Sequence, residues 1–84
     1  MVKWAVTTHA NIETRDMGLI YILARRYDYV VNESLFPGNR CLSGESGDLT
    51  LAVVFRNATS AELFAYELRM YDIVREKEIT ISTL

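Results

Sequence analysis

The spacing of apolar and polar positions changes period several times along this chain, and each change marks an expected element. Val2, Trp4 and Val6 alternate with their neighbours, so Val2 to Thr8 reads as a first strand. Met17, Ile20, Tyr21 and Ala24 then recur at helical spacing. Asn11 or Thr14 is placed to cap that helix, and Arg25 and Arg26 fall in its last turn, where positive charge suits the helix dipole. The run Leu19-Ile20-Tyr21-Ile22-Leu23 is apolar all round, which makes strand the competing reading. Thr14-Arg15-Asp16 resembles a helix start and decides for helix. From Tyr27 to Glu33, Tyr27, Tyr29 and Val31 alternate with Asp28, Val30 and Asn32, as in a half-buried strand.

Ser34 to Asp48 holds the only proline and three of the four glycines. Phe36-Pro37-Gly38-Asn39 is a turn signal, because proline presets φ and glycine or asparagine accepts a positive one. Leu49 to Arg56 is the most apolar strand. Thr59-Ser60-Ala61-Glu62 matches a capping box opening a helix to about Val74. Glu78 to Leu84 alternates Ile79 and Ile81 with polar neighbours, as an edge strand does.

This order, βαββαβ in 84 residues, predicts one α+β domain spanning residues 1–84. The expected architecture is a two-layer ferredoxin-like sandwich: a four-stranded antiparallel sheet with two helices on one face. Its first and third strands lie at the centre and its second and fourth at the edges. The continuous apolar run Leu49–Phe55 suits a centre, and the two alternating strands suit edges.

Composition narrows the function classes. Half the residues are hydrophobic, which argues for a packed globule. A formal charge of −2 supplies no global attraction to nucleic acid or acidic lipid. Cys41 is the only cysteine, so no internal disulfide can form and a reducing cytoplasm is expected. Met1 to Thr8 lacks the apolar run of a signal peptide, and no segment approaches the roughly 20 apolar residues of a membrane span. Asn32-Glu33-Ser34 and Asn57-Ala58-Thr59 match the glycosylation pattern, a chance match in a cytoplasmic chain.

Little here carries reaction chemistry. A lone His9 and a lone Cys41 have no ligand partners at metal spacing, so neither metal nor cofactor is expected. Cys41 beside Arg40, with His9 at the same sheet end, is a conceivable nucleophile pair; an incidental loop cysteine is favoured. Glu67 falls among Leu63, Phe64, Met70, Tyr71 and Val74 on a helical wheel, and is expected to reach water at the rim of a wide apolar face. Lys3, Arg25, Arg26 and Arg56 share one end of the expected fold with Thr59 and Ser60 at a helix start, a candidate anion or phosphate site. Glu45, Asp48, Asp72, Glu76 and Glu78 fall toward the other end.

Leu51 to Glu62 loosely resembles the third strand and second helix of RNA-recognition motifs, in which aromatics on the central strands stack on bases. That resemblance implies Trp4 and Phe55 as the stacking pair. Their alternation with Val6 and Val53 places them in the core instead, and the family's aromatic signature is missing.

The apolar surplus is the last clue. Nine aromatics are many for so small a core, and a helix apolar all round is usually covered on all sides. The expected function is therefore non-enzymatic: a small regulator or inhibitor that binds another protein, or itself as a dimer. Small domains of this kind often occur as phage or mobile-element factors. Leu19, Ile22, Leu23, Tyr66 and Met70 on outward helix surfaces, with Phe36 and Arg40 at the loop tip, are the expected contacts. Nucleic-acid or anion binding through the basic end is the alternative, and a Cys41-dependent enzyme the third reading.

Overall fold

The computed structural model describes residues 2–10, 16–34, 49–74 and 78–84. Among the described residues, three strands and two α-helices alternate: β1 (Trp4–Ala10), α1 (Met17–Arg26), β2 (Leu49–Phe55), α2 (Ala58–Met70) and β3 (Ile79–Thr83). The strands form one antiparallel sheet in the order β2-β1-β3. Trp4 pairs with Phe55 and with Thr83, and Val6 with Val53 and with Ile81.

The register determines which residues share a face. Val6, Leu51, Val53 and Phe55 lie on one side and are fully buried under the helices. Ile20, Leu23 and Ala24 of α1 and Ala61, Phe64, Ala65 and Leu68 of α2 complete this core. The Phe55 and Phe64 rings meet at 5.1 Å between centroids, tilted by 47°, a favourable aromatic geometry. Both helices thus bury a stripe at i, i+3 or i+4, as the periodicity predicts. The Thr8 hydroxyl is buried on this face without a partner among the described residues.

Tyr27–Glu33, expected as a strand, is not one. Asp28 has φ 55°, so the chain leaves the extended region just where alternation suggested pairing. The reason is the way α1 ends. Asp28 N–H donates to the Arg25 carbonyl and Tyr29 N–H to the Ala24 carbonyl, a Schellman closure with aspartate in the left-handed position that glycine usually takes. Then Val31–Glu33 forms one turn of 3-10 helix. This segment crosses the outer edge of β2 and packs Val30 on Ala5 and Val54, on the sheet face away from the helices.

α2 ends in the same way, at Met70 rather than near Val74. Asp72 has φ 59°; its N–H donates to Arg69 and the Ile73 N–H to Leu68. Tyr27-Asp28-Tyr29-Val30 and Tyr71-Asp72-Ile73-Val74 are therefore two copies of one helix terminator. The start of α2 also differs from expectation. Asn57, not Thr59, is the N-cap: its Oδ1 accepts the Ser60 N–H at 2.8 Å. An asparagine in extended conformation serves here as well as serine or threonine would.

Candidate functional site

The outward helix surfaces are the candidate site. On α2, Leu63, Tyr66 and Met70 stand at i, i+3 and i+7, opposite the buried stripe of Ala61, Phe64, Ala65 and Leu68. They are 43%, 55% and 55% exposed, Met70 being the last residue of the helix. On α1, Ile22 is 58% exposed and Tyr21 is also exposed. Leu19 is half-buried and packs on the core. Leu23, expected outward, is fully buried between Ile20 and Ala24 in the core stripe. The all-apolar run Leu19–Leu23 had disguised which side faces the sheet. Phe36 and Arg40 lie outside the described residues, as does Cys41.

Leu63 and Tyr71, which the helical wheel groups with the inward Phe64 and Val74, also stand exposed. A helical wheel centred on Ala61 and Ala65, rather than on Leu63 and Glu67, would have found Leu63, because small residues mark where a helix approaches a sheet.

Glu67 joins the two helices. Its carboxylate is not at a water-washed rim: the side chain is 10% exposed and Oε1 accepts the Arg26 guanidinium at 2.8 Å. Tyr27 adds its hydroxyl to the same carboxylate. That hydrogen bond, partial burial and the carboxylate's charge raise the Tyr27 pKa above the usual phenol value, against the opposing effect of Arg26. Oε2 is buried with no partner among the described residues. The ion pair thus links α1 to α2, one turn after Ile22 on the first helix and one turn before Met70 on the second.

The basic residues are brought together only in part. Because Trp4 pairs with Phe55, Lys3 and Arg56 flank one end of the sheet. Carboxylates from the segment after α1 meet them: Glu33 lies 2.5 Å from the Lys3 amine and Asp28 is 3.7 Å from Arg56. Arg26 reaches away to Glu67, and Arg25 is exposed. Thr59 is exposed in the first turn of α2, and the Ser60 amide is held by Asn57. A ligand anion at this end would compete with a carboxylate at Lys3, at Arg56 and at Arg26.

The remaining chemistry is sparse. His9 lies within β1, opposite Thr50. No group of three or more histidine, cysteine, aspartate or glutamate side chains converges among the described residues. Trp4 packs on the core and Phe55 is fully buried on the helix-covered face, so neither ring offers an open stacking platform. No helix among the described residues is long and apolar enough to cross a membrane. No protein-family model, curated protein or solved structure matches the chain.

Proposed function

We propose that this chain is a non-enzymatic protein-binding module, a small cytoplasmic regulator or inhibitor that works by contact through its helical layer. The observation that carries this reading is the outward stripe Leu63, Tyr66 and Met70 on α2, with Ile22 also exposed on α1. Tyrosine and methionine are enriched at interfaces relative to the rest of a protein's surface, and tyrosine recurs among the residues that dominate binding energy. The frame that presents them is a ferredoxin-like sandwich with one strand replaced. The order β2-β1-β3 supports this, and the place of the missing edge strand, beside β2, is taken by residues 30–34.

The test is capture of partners from native lysate by the tagged chain, repeated at high salt and with Ile22→Glu and Tyr66→Glu. Both positions are more than half exposed, so the variants should fold. A protein partner retained at high salt and weakened about tenfold or more by either charge is the expected result. Partners held equally by both variants would refute the reading.

A further inference from the structure

The two outer edges of the sheet are treated in opposite ways. In an antiparallel ladder, residues alternate between pointing their N–H and C=O at one neighbour and at the other. Leu84 N–H donates to the Lys3 carbonyl, so Lys3, Ala5 and Thr7 bond toward β3, and Trp4, Val6 and Thr8 toward β2. Val54 and Ala52 then point outward from β2. At Val54 this edge is closed by the chain itself: its carbonyl accepts the Val30 N–H at 2.7 Å and its N–H donates to the Ser34 hydroxyl at 3.0 Å. By the same alternation Ile79, Ile81 and Thr83 point outward from β3. No described residue meets them there.

Edge strands are ordinarily guarded by lysine, proline, a bulge or an inward-pointing charge. Residues 79–84 read Ile-Thr-Ile-Ser-Thr-Leu and have none of these. All of them beyond Ile79 are exposed. We propose that β3 is a self-association edge, at which a second copy of this chain adds its own β3 antiparallel about a two-fold axis to make one continuous six-stranded sheet. Three observations select a second copy. The edge requires an extended backbone as partner. It is uncharged, so two copies meet without repulsion even in a chain of net charge −2. It is also self-complementary when centred on Ile81: Ile81 faces its own mate and Ile79 faces Thr83, all three being outward-pointing residues that exchange both backbone hydrogen bonds. Ile81 shares the helix-covered face with Val6, so the paired isoleucines would extend the core across the two-fold axis. This surface is distinct from the helical layer and does not rest on it.

The experiment is light scattering on the purified full chain over a dilution series, with amide exchange read at residues 79–83. The expected mass is twice that of one chain, falling on dilution, with the Ile79, Ile81 and Thr83 amides slowed only in the associated form. Ile81→Lys and Thr83→Pro should each halve the mass. Thr83→Pro removes only an outward N–H, and circular dichroism checks that both variants stay folded. If either fails to fold, the concentration dependence of wild-type exchange decides alone. A chain that is monomeric at all concentrations, masses beyond a dimer, or a dimer whose outward amides exchange freely would each overturn the proposal. Protection that comes only from another protein would overturn it as well. Loss of lysate partners in the helix variants with the dimer intact would leave the two interfaces separately established.

Discussion

At the scale of single residues, Glu67 is the position with most at stake. One carboxylate oxygen is buried without a partner among the described residues, and the other is balanced by Arg26, which is itself half in water. A buried charge is expensive when its partner is removed, whereas replacing the charge itself by an apolar group often costs little. The two halves of the pair should therefore behave unequally. Arg26→Ala, which strands the carboxylate, is expected to lower stability by about 2 kcal/mol. Glu67→Leu, which frees an exposed guanidinium to be hydrated, should stay within about 1 kcal/mol of the parent. Urea midpoints of the two variants measure this, and the reverse order would mean that Arg26 is held by something other than Glu67. Periodicity alone put Glu67 on a mainly apolar helix face but supplied no partner, because Arg26 is 41 residues away in the chain.

At the scale of elements, the informative segment is the one that fails to become a strand. Its alternation of Tyr27, Tyr29 and Val31 is genuine, but a local pattern does not outweigh a helix end that requires left-handed backbone at Asp28. Glycine would have announced such a turn; aspartate tolerates it without advertising it. The same tetrad after α2, Tyr71-Asp72-Ile73-Val74, was the available signal. The segment still does part of an edge strand's work by satisfying Val54 with one amide and one hydroxyl. Ser34→Ala should thus cost about 1 kcal/mol. It should also speed amide exchange at Val54 while leaving Val53, which bonds inward to β1, unchanged. Equal acceleration at both would show that the whole strand, not its edge, had loosened. The helix cores were more legible. Ile20 and Ala24 in α1, and Phe64 with Leu68 in α2, are buried at the helical spacing visible in the chain.

At the scale of the whole molecule, charge and apolar surface point to different partners. The net charge is −2, and Lys3, Arg26 and Arg56 each have a carboxylate within 4 Å. Nucleic-acid affinity grows with the number of phosphates neutralised, and cations already facing carboxylates release fewer counterions. The chain is expected to show no saturable binding to a labelled DNA duplex or RNA strand at physiological salt, measured by fluorescence anisotropy. Tight binding that weakens steeply with salt and vanishes in Arg25→Ala with Arg56→Ala would restore the basic-end reading. Among the described residues, the outward apolar groups on α2 and the uncharged edge of β3 have no such internal compensation, which is why both carry proposals of contact with protein.

Period and propensity, which are local, suffice for the mixed α+β class, for β1, α1, β2, α2 and β3 as elements, and for most of the buried stripe. A core face must repeat at the pitch of its own element, and that repeat is written in consecutive residues. Contacts between distant residues decided the rest. Whether Tyr27–Glu33 paired as a strand depended on how α1 closed. Which side of the Leu19–Leu23 run faced inward depended on where the sheet lay. The partner of Glu67, and the closing of the β2 edge at Val54, depended on residues far apart in the chain being brought together by the fold, a distance over which no periodicity carries information.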